Sequence, residues 1–262
     1  MKPFAEFLIP EMRMIQYVLT DIDDTLTLNG RLPSVVFVAM EKIQAAGIAV
    51  IPITGRPAGW CDHIARMWPV DGVVGENGAF YFRYDAGSRK MMRRYWKPEK
   101  ERRADRSRLD AILQHVLKTV PGSRVASDQA YREADLAIDF CEDVAPLTPA
   151  EIDRIVACFT EAGAQAKISS IHVNGWFGDY DKLAMTRLLF EEVFSKNLDA
   201  VRDQVIYAGD SPNDAPMFGY FPNSVGVANV KNFMGKMPQD PSWVTEREGG
   251  SGFAEMVDRL LS

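Results

Sequence analysis

Three aspartates lie close together in residues 21–25, which read DIDDT. Carboxylates this crowded repel one another, and such crowding is typical of a site that binds a cation or shares a proton. A calcium loop of the EF-hand type begins in a similar way, but it requires glycine at its sixth position and glutamate at its twelfth. Leu26 and Leu32 stand at those positions here, so an EF-hand is excluded. The segment predicts either a site for a hard cation or a solvated acidic turn.

A second acidic segment, residues 209–214, reads GDSPND. Its Asp210 and Asp214 are four positions apart, so they can share one side of a starting helical turn. Two acidic segments at the ends of two strands would together supply the oxygen ligands that Mg²⁺ prefers. Alone, the second segment would be an ordinary surface turn.

Two further features suit a phosphorylated ligand. Thr54 is followed by Gly55, and a hydroxyl with free backbone N–H groups beside it can hold phosphate oxygens. Lys182 falls in the first turn of a predicted helix, where a positive charge is unfavourable with the helix dipole. That placement makes sense if Lys182 faces carboxylates and phosphate, although a solvated lysine would explain it as well.

The segments that must position these residues alternate between apolar runs and helical patterns. Apolar runs at residues 14–20, 48–53 and 72–75 predict buried strands, separated by helical stretches that end near residues 47 and 67. The alternation returns with a helix at 181–196, strands at 204–208 and 224–227, and a final helix at 251–261. Strands that alternate with helices predict a parallel sheet with helices on its faces.

The middle of the chain has a different pattern. After a hairpin-rich transition near residue 85, the order helix, strand, strand occurs twice. The helices are predicted at 99–118 and from Thr148, and the strands at 124–127, 135–140, 164–169 and 171–177. The strand at 135–140 alternates, so we expect it to be half-buried. The sequence predicts an α/β core formed by residues 1–85 and 179–262, with a small α+β unit inserted at 86–178.

The composition is that of a globular protein, with 262 residues, 47% of them hydrophobic, and a formal net charge of −6. No run approaches the roughly 20 apolar residues of a membrane span, and the N-terminus lacks the layout of a secretory signal. The three cysteines are far apart, which argues against disulfides and zinc. We expect reduced thiols, a cytoplasmic protein and no membrane partner.

One basic segment opposes the negative net charge. Residues 89–108 contain ten Lys and Arg against three acids, with Tyr95 and Trp96 among them. A basic run with aromatic residues can bind nucleic acid, but the net charge argues against a general nucleic-acid binder. We favour an exposed helix with solvated charges over nucleic-acid binding or attraction of an anionic substrate.

Taken in order, the acidic segments, the threonine and the lysine resemble the four motifs of the haloacid dehalogenase (HAD) superfamily. The motifs here are Asp21-x-Asp23-x-Thr25, Thr54 in Ile-Thr-Gly-Arg-Pro, Lys182, and Gly209-Asp210-x-x-Asn213-Asp214. The insert between Thr54 and Lys182 resembles the C2B cap of the type IIB subfamily. The resemblance spans nearly the whole chain and implies a Rossmann-like HAD core with an inserted C2B cap.

The resemblance also implies a role for each matching residue. Asp21 would be the nucleophile that forms an aspartyl-phosphate, and Asp23 would protonate the leaving oxygen and then activate water. Thr54, with Gly55 beside it, would bind the phosphoryl oxygens, while Lys182 would offset negative charge. The Mg²⁺ ligands would be Asp21, the backbone carbonyl of Asp23 and Asp210, supported by Asn213 and Asp214.

Substrate choice in this subfamily belongs to the cap. The likeness implies a small phosphorylated metabolite, such as a sugar phosphate. Asn77 in Glu-Asn-Gly resembles the family's loop near the core–cap junction. Arg132, His172 and Asn174 are candidate substrate contacts in the cap, and each has an equally good structural explanation. His172 alternates with apolar neighbours, so it could simply face solvent.

Two rival functions follow from the same residues. The acid at Asp23 favours a phosphatase or a phosphomutase of the same subfamily, and the sequence does not separate them. A protein that kept the fold but lost activity could bind nucleic acid or act as a scaffold. One departure from the family pattern is Asp24, where many members have glycine. The substrate, the pathway, the oligomeric state and the effect of Asp24 stay open.

Overall fold

The computed structural model of the chain describes residues 1–169 and 171–262. The strands within these ranges are β1 (Lys2–Pro3), β2 (Tyr17–Thr20), β3 (Ala49–Pro52), β4 (Val73–Gly75), β5 (Phe80–Asp85), β6 (Lys90–Tyr95), β7 (Arg124–Val125), β8 (Leu136–Asp139), β9 (Gln165–Ile168), β10 (His172–Trp176), β11 (Val205–Gly209), β12 (Asn223–Gly226) and β13 (Trp243–Val244). The α-helices are α1 (Ile9–Met12), α2 (Ser34–Ala45), α3 (Ala58–Met67), α4 (Glu99–Thr119), α5 (Pro149–Glu161), α6 (Lys182–Phe194), α7 (Leu198–Val201), α8 (Ala215–Tyr220) and α9 (Gly249–Leu260).

The core is a six-stranded parallel sheet in the order β1-β13-β12-β11-β2-β3. Alternate strand residues pack on opposite faces, as the pleat requires. Val18 belongs to the apolar cluster that contains Phe253 of α9. Leu19 belongs to the cluster on the other face, with Phe190 of α6. The predicted α/β core is confirmed.

β2 lies between β3, the next strand in the chain, and β11, which arrives much later. The chain therefore leaves β2 towards one side of the sheet and returns on the other. Crevices at such a reversal, outside the carboxyl ends of the strands, are where ligands bind in open α/β sheets.

The inserted unit is a four-stranded antiparallel sheet in the order β7-β8-β10-β9. One face of this sheet packs against α4 and α5 through a separate apolar cluster that includes Leu109, Ile138 and Phe159. Thr148 caps α5 with the predicted capping box to Glu151. We call residues 86–178 the cap; its boundaries stay a prediction, and the first of them falls in the turn between β5 and β6.

Three sequence expectations need correction. β4 pairs antiparallel with β5 in a separate three-stranded sheet, and an isolated parallel bridge from Val74 to Ile53 connects it to the core. β8 is buried along its whole length, not half-buried. The face opposite α4 and α5 is covered as well, because it turns towards the core. His172 pairs with Asp139 on that face and is buried, so it does not face solvent.

The basic segment 89–108 is largely exposed, and some of its cations also contact neighbouring groups. The guanidinium of Arg102 lies 3.6 Å from the ring centre of Tyr95, and that of Arg108 lies 3.4 Å from the ring centre of Phe177. Arg106 donates to the carbonyl of Asp135. Most cations of the segment are exposed, as predicted, and the half-buried ones are Lys97, Arg102 and Arg106. None of the helices in the described ranges has the length and apolar character needed to cross a membrane.

Candidate active site

The acidic segments meet where the sequence predicts. Asp21 directly follows β2 and Asp210 directly follows β11, and these two strands are paired in parallel. Carboxylate oxygens of Asp21, Asp210 and Asp214 all lie within 4.8 Å of one another, and all three residues are buried. Two strand ends and the short turn after β11 thus bring three carboxylates to one point.

Lys182 reaches this point from the start of α6. The side chain of Asp181 caps the helix by accepting from the N–H of Ala184. Lys182 Nζ then lies 2.7 Å from Asp21 Oδ1 and 3.2 Å from Asp214 Oδ1. Burial disfavours its charge, but Asp21 and Asp214 outweigh burial and raise the pKa of Lys182, which stays protonated. Its place in the first helical turn is explained by these carboxylates.

The carboxylates differ in how many donors surround them. Asp214 Oδ1 accepts from Lys182 and from the Tyr207 hydroxyl, while its Oδ2 accepts from the N–H groups of Asp210 and Ser211. Both oxygens of Asp214 are therefore engaged by the protein. Asp21 has Lys182 on Oδ1, and no donor among the described residues contacts its Oδ2.

Burial and neighbouring acids leave Asp21 and Asp210 short of positive charge. Burial, offset in part by Lys182, raises the pKa of Asp21 to about 7. Burial, with Asp214 and Asp21 nearby, raises the pKa of Asp210 well above its usual range. Three carboxylates against one lysine form a donor set of hard oxygens with excess negative charge, which fits a divalent cation such as Mg²⁺.

Asp23 is engaged by a residue that sequence reasoning missed. Arg56 Nε lies 3.0 Å from both carboxylate oxygens of Asp23, and its Nη2 lies 2.8 Å from Oδ1. Arg56 also lies within 3.7 Å of Asp128 and 3.6 Å of Glu142, both in the cap. The Arg that follows Thr-Gly in the second motif was the available signal, since a buried guanidinium needs an acidic partner.

The phosphate-binding candidates lie beside Asp23. Thr54 is fully buried, and its hydroxyl accepts from the N–H of Arg56, which leaves the hydroxyl proton available. Gly55 lines the cleft. A methyl group at Gly55 would lie 3.2 Å from Asn77 Nδ2, so glycine leaves room for this amide. Asn77 Nδ2 is buried without a hydrogen-bond partner among the described residues.

The cap candidates converge on the same cleft. The cleft encloses about 420 Å³ with its open mouth. Asp21, Asp23, Gly55, Arg56, Asn77, Arg132, Ser169, Ile171, His172, Asn174, Ser211 and Asn213 line it. Arg132 is also structural, since it bridges Asp128 and Asp135 in buried ion pairs. Asn174 donates to Asp135 as well.

Other predicted residues make fewer contacts in the cleft or lie outside it. Asn213 lines the cleft, and its Oδ1 accepts from the Ser211 hydroxyl. Thr54 and Lys182 do not line this cleft, although Lys182 reaches Asp21 from behind it. Asp24 adopts a left-handed backbone with φ of 58°. That conformation suits glycine and is tolerated by Asp, which explains why this position can carry either residue.

Three supporting residues around the carboxylates were not predicted. Thr25 donates to Asp210 Oδ1 at 3.2 Å, and Asn229 donates to Asp210 Oδ2 at 3.2 Å and to the carbonyl of Asp24. Tyr207 on β11 donates to Asp214. Thr25 belongs to the first motif and could have been found there. Asn229 and Tyr207 carry no sequence signal, because their roles depend on long-range packing.

Comparison with protein families places part of the chain in a known family. The family described as haloacid dehalogenase-like hydrolase matches residues 18–104, which contain the first two motifs. Comparison with curated proteins gave no match.

Similar solved structures cover nearly the whole chain. A Thermoplasma acidophilum protein has a TM-score of 0.71 at 18% identity, with 95% of this chain and 99% of that chain covered. A sucrose-phosphatase from Synechocystis, solved with sucrose and phosphate, has a TM-score of 0.63 at 15% identity, covering 94% and 98%. A HAD subclass IIB sugar phosphatase has a TM-score of 0.58 at 16% identity, covering 88% and 93%. At these identities the likeness shows a common fold.

Proposed function

We propose that this chain, which belongs to the haloacid dehalogenase-like hydrolases, is a Mg²⁺-dependent phosphatase that hydrolyses a small phosphomonoester through a phosphorylated Asp21. The observation that carries the proposal is the contact of Lys182 with one oxygen of Asp21, at the end of β2 and at the edge of the cleft. The other oxygen of Asp21 is left for an incoming phosphorus atom. An anionic nucleophile can approach an anionic phosphate only where positive charge offsets the repulsion.

The reaction has two displacements. An oxygen of Asp21 attacks phosphorus, the bond from phosphorus to the leaving oxygen breaks, and protonated Asp23 gives that oxygen a proton. Asp23, now ionised, takes a proton from water, whose oxygen attacks phosphorus and releases Asp21 and inorganic phosphate. One residue acting as acid and then as base is general acid–base catalysis in both directions.

Arg56 bears on this exchange. It contacts both oxygens of Asp23, so an incoming phosphate would compete with Asp23 for the guanidinium. We expect the phosphoryl group to be held by Thr54, by the backbone of Gly55 and by the unpartnered amide of Asn77.

The proposed metal would be held by Asp21 and Asp210, with the backbone carbonyl of Asp23 as a further ligand. When bound, Mg²⁺ supplies positive charge to the phosphoryl oxygens. Asp214, whose two oxygens each have two protein donors, would orient the loop 209–214 and Lys182. Asn213 would support the metal through its waters.

The proposed substrate is a sugar phosphate or a similar small metabolite. Arg132, His172 and Asn174 give the cap side of the cleft a polar lining suited to hydroxyl groups. The sucrose-phosphatase and the sugar phosphatase of similar fold agree with this choice. The basic segment gives less support to nucleic-acid binding, because three of its cations, Arg102, Arg106 and Arg108, already contact aromatic rings or a backbone carbonyl of the protein. The three cysteines are not joined in disulfides, which is consistent with the proposed cytoplasmic location.

The test is phosphate release from a panel of sugar phosphates, nucleotides and phosphoglycerates, with Mg²⁺ and with EDTA. We expect metal-dependent turnover in the wild type and a loss of roughly 10⁴-fold or more in Asp21→Asn. Asp199→Asn is the matched control, because Asp199 forms an exposed ion pair with Arg187 and does not line the cleft. Full activity in Asp21→Asn would refute the nucleophile, and isomerisation of hexose phosphates without phosphate release would show a phosphomutase.

A further inference from the structure

The turn that follows β4 holds three successive residues in the left-handed region. Glu76 has φ of 43°, Asn77 of 55° and Gly78 of 105°. Left-handed backbone is uncommon for residues other than glycine, and it persists only where the surroundings impose it. Here the N–H of Glu76 donates to the carbonyl of Arg56, and the N–H of Asn77 donates to that of Thr54. The turn is thereby fixed to the second motif.

The side chains of Asn77 and Glu76 leave this strained turn in different surroundings. Asn77 lines the cleft, whereas the carboxylate of Glu76 is fully buried. Glu76 Oε1 accepts from the N–H of Ala58 in the core at 2.9 Å. Its other partners are three consecutive backbone N–H groups of the cap, those of Glu133, Ala134 and Asp135, at 2.7 to 3.2 Å.

Three converging N–H groups of this kind form a concave anion-binding site in the backbone. The anion that fills it is supplied by the core, more than fifty residues earlier in the chain. Burying a carboxylate is costly, and an apolar residue would often serve stability as well. Most of the hydrogen bonds that offset this desolvation cost come from residues 133–135, and they exist only while that segment lies against the core. Glu76 is therefore suited to setting the position of the cap.

The cap segment that Glu76 holds also carries cleft residues. Arg132, directly before the three N–H groups, donates to the carbonyl of Gly55 at 3.0 Å. Asp135 accepts from Asn174 Nδ2 at 3.0 Å. Any shift of residues 133–135 relative to the core would move Arg132 and Asn174 relative to the phosphate-binding side of the cleft.

We propose that Glu76 is a positioning residue: its carboxylate docks residues 133–135 onto the core and thereby sets where Arg132 and Asn174 lie over the cleft. The kinetic part of this inference rests on the proposed function, but the docking itself does not. Glu76 acts through these two residues and does not touch the reacting atoms.

The test compares Glu76→Gln and Glu76→Asp with the wild type by amide hydrogen exchange at about pH 8, above the raised pKa of Glu76. Gln keeps the shape but replaces one acceptor oxygen with a donor that faces backbone N–H groups. We expect exchange at residues 133–135 to become at least about tenfold faster in Glu76→Gln, with the strands of the core unchanged. Asp keeps the charge on a shorter stem, so we expect partial protection.

The kinetic arm measures KM and kcat on the best substrate of the wild type. We expect KM to rise about tenfold in Glu76→Gln with little change in kcat, because the cap contacts loosen while Asp21 stays in place. Glu192→Gln is the control, since Glu192 pairs with Tyr81 and Arg94 away from the cleft.

Two results would overturn the inference. One is wild-type exchange at residues 133–135 in Glu76→Gln; the other is faster exchange spread evenly over the chain, which would indicate general loss of stability. If Glu76→Gln does not fold, Glu76→Asp carries the same comparison. A wild type without phosphatase activity would contradict the proposed function. The exchange data would still show whether Glu76 docks residues 133–135 onto the core.

Discussion

Asp21 and Glu76 are both buried carboxylates, but they differ in the number of hydrogen-bond donors around them. Burial raises the pKa of each to about 7. Glu76 is surrounded by four backbone N–H groups that come from both parts of the molecule. Asp21 has one donor among the described residues, the ammonium of Lys182, and lies beside two further carboxylates.

The difference teaches how to recognise a carboxylate that is reserved for a ligand. Where the protein supplies every donor, as for Glu76 and Asp214, the carboxylate holds the structure together. Where donors are fewer, as for Asp21 with Lys182 alone and for Asp210 with one neutral donor on each oxygen, the remaining charge must be met from outside. The donor count separates these roles better than burial does, because both kinds of carboxylate are equally buried.

The largest effect should come from removing the one cation at the donor-poor carboxylate. We expect Lys182→Met to lower kcat/KM by about 10³-fold, because a preorganised charge beside the nucleophile is lost. Steady-state phosphate release measures this, with Lys42→Met as control, since Lys42 forms an exposed ion pair with Asp258. A loss below about tenfold would break the comparison, because Asp21 would then not depend on Lys182.

A donor-rich carboxylate should matter first for stability. We expect Asp214→Asn to lower the free energy of unfolding by about 3 kcal/mol, because Lys182, Tyr207 and two backbone N–H groups lose a common anionic acceptor. Urea unfolding measures this, and Asp199→Asn at an exposed ion pair should leave the free energy of unfolding almost unchanged. Equal effects from both variants would remove the distinction drawn for Asp214.

Metal affinity should separate Asp210 from Asp214. We expect Asp210→Asn to weaken Mg²⁺ binding by roughly 10- to 100-fold, because Asp210 is proposed to contact the ion directly. Calorimetric titration with Mg²⁺ alone measures this without any substrate. Wild-type affinity in Asp210→Asn, together with lost affinity in Asp214→Asn, would exchange the two roles.

The pH dependence of stability tests the same comparison in the wild-type protein. With EDTA present, the folded protein holds protons on Asp21 and Glu76 up to about pH 7, whereas unfolded carboxyls ionise near pH 4. The contribution of these two groups to the free energy of unfolding should therefore be largest below about pH 4. It should fall as the pH rises to about 7. Added Mg²⁺ should reduce the fall, because it favours ionised Asp21.

Chemical unfolding at a series of pH values measures this slope. Asp21→Asn removes one of the two titrating groups, so its slope should be smaller than that of the wild type. A slope that is the same in both proteins would show that Asp21 does not titrate in this window.

The sequence predicted most of the fold because the signals were local. Continuous apolar runs marked β2, β3 and β11, and Thr148 with Glu151 marked the start of α5. β1 and β13 were missed because each has two residues, too few for a periodic pattern. The burial of β8 was misjudged because only the packing of the core against the cap covers its second face.

The site was predicted in part for the same reason. Asp21, Asp210 and Lys182 stand in short motifs at the ends of elements, where sequence reasoning works. The guanidinium of Arg56 on Asp23, and the amide of Asn229 on Asp210, join residues far apart in the chain. Such pairs depend on how elements pack, and no single local pattern in the sequence encodes them.

The tight turn after β4 also limits how this protein can diversify. A methyl group at Gly78 would lie 2.0 Å from the carbonyl oxygen of Asp181, directly before Lys182. Any side chain there would push the start of α6, which carries Lys182, away from Asp21. We therefore expect glycine to be required at position 78 wherever Lys182 must stay beside Asp21. New specificities would then have to arise elsewhere, for example on β10 of the cap, which carries the proposed substrate contacts His172 and Asn174.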